Sequence, residues 1–352
     1  MTKKRSKALD NKCPSCGAPI KFVPSLKKWK CEYCNSEFDL EEMQKHNNAS
    51  NIKYNQDSII DDYDDYVTYT CQDCGAEIVA DSQTAATFCV YCGNTAILKN
   101  KLSGKFSPDA IIPFKKEKQE AIDAFVNLAK GKLFVPKNFT KKDNIEKIRG
   151  IYIPFWLYDI DIAGSIDCNG TKIRSWSTGN VQYTRTEFYK MYRTGSMDFF
   201  KIPVDGSKRF SNDIMNSIEP FDYSGLTKYN HAYLSGFYAE KYDVPSDEAS
   251  VEARRRALES GKNAFLDDCR GYSQKNIVRN TLETKIKNKY YVLLPVWMVN
   301  VKYNNKSYIF AMNGQTGEFV GNIPLDILKV IVWTILIFGL VFGLVIAIAW
   351  VL

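Results

Sequence analysis

The chain has 352 residues, 45% hydrophobic and 25% charged, a balance that excludes a mostly disordered or fibrous protein and leaves room for two or three folded units. Its net charge of +7 comes from Lys and Arg spread along the whole length, so composition alone demands no nucleic-acid partner. Lys3, Lys4, Arg5 and Lys7 open the chain with no apolar stretch behind them, which does not read as a secretory signal peptide.

Eight of the ten cysteines fall into two copies of one pattern: Cys13, Cys16, Cys31, Cys34, then Cys71, Cys74, Cys89, Cys92. Each copy is Cys-x2-Cys, fourteen residues, Cys-x2-Cys, one residue shorter than the usual spacing for such zinc sites, a difference that a hairpin can absorb. Gly17, Asn35, Gly75 and Gly93 follow the pairs, where a knuckle folding two thiolates onto one ion needs a left-handed backbone position. Four thiolates at about 2.3 Å close a tetrahedral site and leave no position open for substrate, so two structural Zn2+ ions are expected. Disulfides would need an oxidising compartment. Iron in a rubredoxin-like setting uses the same ligands, with zinc suiting a short ribbon better.

The pattern predicts a first ribbon over 1–45 with a basic N-terminus, its hairpin strands carrying Ile20, Phe22, Trp29 and Phe38. An acidic linker over 46–66 follows, then a second ribbon over 67–100 with Ile78, Val79, Phe88 and Ile97. Each ribbon is too small for a self-sufficient core, so metal must supply much of its folding energy. Residues 101–325 read as an α+β domain. Ile122, Phe125, Val126 and Ala129 form one helical stripe, and Val251, Leu258 and Phe265 a second after Ser246-Asp247-Glu248. Strand signals follow each helix at Ile151–Ile162 and Tyr290–Tyr303, with Tyr308–Met312 ending at the turn Asn313-Gly314. Tyr152-Ile153-Pro154-Phe155-Trp156-Leu157 resembles Leu293-Leu294-Pro295-Val296-Trp297-Met298, which predicts a duplicated helix-plus-antiparallel-sheet unit, and a proline near a strand start is compatible with an edge or first position. The aromatic stretch from Cys168 to Tyr242 reads as a further sheet with ordinary β packing, the alternative being an aromatic-lined cleft that binds a ligand.

From Val330 to Leu352 no residue is charged, and at about 1.5 Å per residue the run spans roughly 34 Å, enough for a hydrocarbon core of about 30 Å. Trp333 and Trp350 sit near its ends, as interfacial anchors would. The expectation is a transmembrane helix over 327–352, a tail anchor in the cell membrane, single-pass, with the N-terminal domains cytoplasmic. Gly339, Gly343 and Ala347 recur every four residues, the small-residue pattern through which two such helices would pack as a homodimer.

Only two histidines are present, His46 and His231, and no Walker loop, GxSxG elbow or HExxH motif occurs, so no enzyme is expected. Asp159 with Asp161 and Asp267 with Asp268 read as solvated pairs, and Arg254, Arg255 and Arg256 as a solvated helix face. Lys21, Lys27, Lys28 and Lys30 around Trp29 would suit a nucleic-acid backbone and a stacked base, whereas the second ribbon has Glu77 and Asp81 and no such cluster.

The double ribbon, the proline–tryptophan strands, Phe310-Ala311-Met312-Asn313-Gly314-Gln315-Thr316-Gly317 and the C-terminal apolar run together resemble a Gram-positive bacterial family. Its members are labelled TFIIB-type zinc-ribbon proteins or, misleadingly, primosomal-helicase-like. The chain is also similar to the YdjG-type membrane anchors found beside a phage-shock coiled-coil protein and an SPFH-domain protein in envelope-stress operons. The resemblance implies a scaffold that recruits such proteins to the bilayer. The alternative left open is a membrane-tethered nucleic-acid binder using the first ribbon.

Overall fold

The computed structural model describes residues 6–9, 11–49, 66–70, 77–81, 84–88, 95–98, 106–136, 139, 148–304 and 306–351. In chain order the N-terminal elements are β1 (Ser6–Leu9), β2 (Ile20–Val23), β3 (Lys28–Cys31), β4 (Glu37–Phe38) and α1 (Leu40–Ala49), then β5 (Tyr66–Thr70), β6 (Glu77–Asp81), β7 (Thr84–Phe88) and β8 (Thr95–Leu98). The body adds β9 (Ala110–Ile111), α2 (Lys118–Ala129), β10 (Arg149–Thr178), β11 (Val181–Asp205), α3 (Asn212–Ser217), β12 (Thr227–Lys228), β13 (Tyr238–Glu240) and α4 (Ser246–Asp268). It closes with β14 (Gln274–Asn280), β15 (Glu283–Tyr303), β16 (Lys306–Asn313), β17 (Phe319–Gly321) and α5 (Ile327–Val351).

Buried runs without alternation, 152–160 in β10 and 291–297 in β15, mark strands covered on both faces. These two strands pair antiparallel at the centre of a 14-stranded sheet, with Tyr152 opposite Pro295 and Pro154 opposite Leu293. The two proline–tryptophan segments are therefore neighbours, and their surroundings match bond for bond. Pro154 O accepts from Gly206 N, and Pro295 O accepts from Gly314 N, both at 2.8 Å. Trp156 Nε1 donates to Val244 O and Trp297 Nε1 to Lys116 O, both at 2.9 Å, each carbonyl lying two residues before a helix. Gly206 O accepts from Asp243 and Val244, and Gly314 O from Lys115 and Lys116. Each strand thus anchors the helix belonging to the other half of the chain.

Both prolines lie inside central strands. Each precedes by one residue the start of pairing with an outer strand, at Phe155 with β11 and at Val296 with β16. The missing N–H therefore falls where that outer ladder has not begun.

The expected α+β class, with two ribbons ahead of a duplicated helix-plus-sheet domain, is corrected to a mixed α/β chain built on one large sheet. Strand pairing is the reason. β13 joins β7, and β1 joins both β5 and β8, so strands of the second ribbon segment extend the body's sheet. The helix stripes also differ from expectation in α4. Val251 is exposed, and the buried face is Ala249, Ala253, Ala257, Gly261 and Phe265. Small residues let α4 lie close to the sheet, where a Cβ on Gly261 would stand 3.0 Å from Ile162.

α5 carries exposed apolar side chains over its described length. Among the described residues no helix is long and apolar enough to cross a membrane. The expected transmembrane helix over 327–352, the tail anchor and the single-pass cell-membrane localisation with cytoplasmic N-terminal domains are corrected on that finding. The bilayer as a partner rested on the same helix. Gly339 and Gly343 face open space, so no contact is assigned to them.

The matched halves differ at a buried titratable position: Asp205 precedes Gly206 where Asn313 precedes Gly314. Burial pushes the Asp205 carboxyl up to about 6, against the pull of Arg256, with Asp243 and Glu252 raising it further. A carboxyl whose folded pKa is raised keeps its proton longer when folded. Its ionisation therefore lowers stability as pH climbs from about 4 to about 6, and the deficit persists above that range. Asp205→Asn should raise stability by up to roughly 3 kcal/mol at pH 8 and leave it nearly unchanged at pH 4, read from urea denaturation at the two pH values.

Candidate metal centre

The first cysteine set is assembled by two knuckles that the sequence dictates locally. Gly17 and Asn35 adopt φ of 74° and 57°, and their N–H groups donate to Cys13 O at 2.8 Å and Cys31 O at 2.9 Å. Asn35 tolerates the left-handed region better than most side chains, and Gly17 meets nothing there. Between the knuckles β2 and β3 form a hairpin with Ile20 opposite Cys31 and Phe22 opposite Trp29, which delivers Cys31 to the first pair.

The four sulfurs of Cys13, Cys16, Cys31 and Cys34 lie within 4.8 Å of one another, with Cys13–Cys34 and Cys16–Cys31 at 3.6 Å. A regular tetrahedron with metal–sulfur bonds of about 2.3 Å has edges of about 3.8 Å, so the set fits one zinc ion. These separations are far beyond a disulfide bond of about 2.05 Å. Cys13 and Cys31 are buried, and Cys16 and Cys34 are on the outer side. Ser36, through its hydroxyl and then its backbone N–H, lowers the Cys34 thiol to about 6, while Cys16, beside the other three thiols, is raised to about 12. Cys71, Cys74, Cys89 and Cys92, with Gly75 and Gly93, lie outside the described residues, as does most of the 46–66 linker.

The ribbon is fastened to the body. Trp29, 1% exposed, donates Nε1–H to Ala232 O at 2.9 Å, and its ring packs on Tyr233 at 5.2 Å between centroids. Phe22 packs on the same tyrosine at 5.4 Å, and its N–H donates to Ser235 O at 3.2 Å. Asn11 Nδ2 donates to Ser235 Oγ at 2.6 Å. Sequence reasoning missed Ala232, Tyr233 and Ser235 because they stand some two hundred residues away in a short 3-10 turn. It read Trp29 as mini-core or base-stacking surface. The indole is covered by protein, and Lys21 is paired with Glu32 at 2.9 Å.

Other charged candidates are absorbed by the body. Asp159 is buried and accepts from Lys201 N and Asn288 Nδ2, both at 3.0 Å. Asp161 pairs with Lys287 at 2.7 Å and Asp268 with Arg193 at 2.9 Å. The arginine run is a solvated face only at Arg255, which pairs with Glu252 and Glu259 on its own helix; Arg254 donates to Thr284 O, and Arg256 reaches Glu219, Glu252 and Pro203 O. Asn313 and Gln315 form a buried clamp, Asn313 Nδ2 donating to Ile218 O and Gln315 bonding both backbone groups of Asp222. Cys168 and Cys269 are buried beside each other, with burial first and the neighbouring thiol second raising Cys168.

The chain is 35% identical over 322 residues to the uncharacterized protein YdjG of Bacillus subtilis (strain 168), an alignment covering 92% of each chain. No family model matches the chain, and no solved structure matches it.

Because Cys31 is one of four candidate ligands and also the strand end that carries Trp29 toward the body, Cys31→Ser should remove one zinc equivalent per chain, measured by elemental mass spectrometry. The same substitution should lower the thermal midpoint.

Proposed function

The chain belongs to the YdjG family, and from the geometry of its first ribbon we propose that it is a zinc-stabilised adaptor that binds protein partners. The carrying observation is a division of the ribbon into two sides. One side, with Phe22, Trp29 and Met43, is buried, Phe22 and Trp29 against the body. The other presents Tyr33, 84% exposed at the tip of the Cys31–Cys34 knuckle, and Leu26 on the hairpin turn. A closed four-thiolate site spends its ligands on rigidity. A knuckle held by metal presents its tyrosine without a further ordering cost, which favours binding. Aromatic side chains exposed on rigid backbone are the usual anchors of protein interfaces.

A second zinc at Cys71, Cys74, Cys89 and Cys92 belongs to the same proposal, on the identical spacing of the two sets. Phage-shock-like coiled-coil proteins and SPFH-domain proteins are the first partners to test, on the resemblance alone.

Affinity capture of the full chain from its own cells, followed by mass spectrometry, tests this reading. The proposal expects a specific set of proteins that is lost on zinc chelation and on the pair Tyr33→Ala with Leu26→Ser, the latter retaining its metal. A recovered set unchanged by both treatments would contradict it.

A further inference from the structure

The strand β10 continues well past its neighbours. Its partner β14 ends at the pair Thr171–Gln274, yet β10 runs to Thr178 and turns back as β11 through Gly179. Residues 172–187 thus form a two-stranded arm reaching about 23 Å beyond the three-stranded part at about 3.3 Å per residue. Among the described residues no strand pairs with the outer edge of β11, where Arg256 donates to Pro203 O near its end, and none pairs with β10 past Thr171, where Ile173 N–H donates to Ser273 Oγ at 3.4 Å.

Isolated two-stranded ribbons are marginal in water, and an open edge invites strand pairing, so such an arm needs a reason. Its side chains supply one. On one face Trp176 and Tyr183 stand opposite each other and stack, 5.6 Å between centroids at 14°, each about half exposed. Two residues inward on that face, roughly 7 Å along the strand, Arg174 stands directly opposite Arg185. Like charges in that position repel; Glu187 pairs with Arg185 at 2.9 Å and answers only part of the charge, which leaves the Arg174 side of the face cationic. On the other face Phe188 and Tyr192 are 82% and 61% exposed, with Ile173 and Lys190 beside them. From 172 to 190 the arm carries Lys172, Arg174, Arg185 and Lys190 against Glu187 as the one acid.

We propose that the β10–β11 arm is a strand-addition site for an extended acidic segment of a partner protein. An added strand would bond the open β11 edge through its backbone and direct alternate side chains to the two faces. Its carboxylates meet the arginine pair on one face, and its apolar side chains meet Phe188 and Tyr192 on the other. The open backbone edge and the two-sided aromatic display favour a peptide over a single-stranded nucleic acid, which would use one stacking face and no ladder. The arm lies on elements apart from the ribbon, so this site stands or falls independently of the ribbon's role.

Fluorescence anisotropy of the full chain with a short labelled peptide alternating Glu and Val tests the site. The proposal expects salt-sensitive binding, weakened about tenfold or more by Arg174→Gln with Arg185→Gln, both exposed positions whose folding is checked by circular dichroism. The same peptide N-methylated at alternate residues should fail to bind, and so should a Lys/Val peptide. Equal binding by the double variant, by the N-methylated peptide or by the Lys/Val peptide would overturn the proposal, as would no binding at all. Binding of oligo-dT through these residues in place of the peptide would assign the arm to nucleic acid instead.

Discussion

The contact between Trp29 and the Ala232–Tyr233 turn ties the metal chemistry to the rest of the chain. A ribbon of some thirty residues cannot bury a core of its own, and structural zinc contributes on the order of 10–16 kcal/mol to folding such units. Here the largest apolar side chain of the ribbon points away from the sulfurs' open side and into the body. An ion bound at the four cysteines would therefore lock the hairpin register that presents Trp29 and Phe22 together. Loss of the ion would free both the knuckle that displays Tyr33 and the plug that closes over Tyr233.

The body obeys a second constraint, the exchange of helices between the two matched halves. Trp156 and Trp297 each hold the backbone leading into the opposite helix, so neither half is complete without the other. Such mutual anchoring favours one cooperative unit, into which β13 and β7 draw the second ribbon segment as well. The buried Asn313–Gln315 clamp serves the same end, binding the sheet to the loops around Ile218 and Asp222.

Local chemistry was legible in the sequence, and long-range pairing was not. The spacing of Cys13, Cys16, Cys31 and Cys34, with Gly17 and Asn35 behind the pairs, was enough to place the first site and its left-handed turns. Apolar periodicity found α2 and α4 but misassigned Val251, because an alanine stripe carries too little hydrophobicity to mark a buried face. The similarity of the two proline–tryptophan segments showed repetition. It could not show that they are adjacent strands whose helices cross over. Trp29 and Trp176 illustrate the limit best. Both sit in polar, lysine- or serine-rich surroundings, yet one is sealed against a turn two hundred residues away and the other is half exposed on an arm. The apolar run after Val330 suggested a span from length and composition, and among the described residues no helix is long and apolar enough to cross a membrane.

Hydrogen exchange of the full chain, read by mass spectrometry over residues 229–237 with and without zinc, addresses the coupling of ion and body most directly. If metal holds Trp29 in place, chelation should deprotect that turn together with β2 and β3 while the β10–β15 pairing stays protected. Deprotection confined to the ribbon, with 229–237 unchanged, would show that the body does not depend on the ion and would contradict the account.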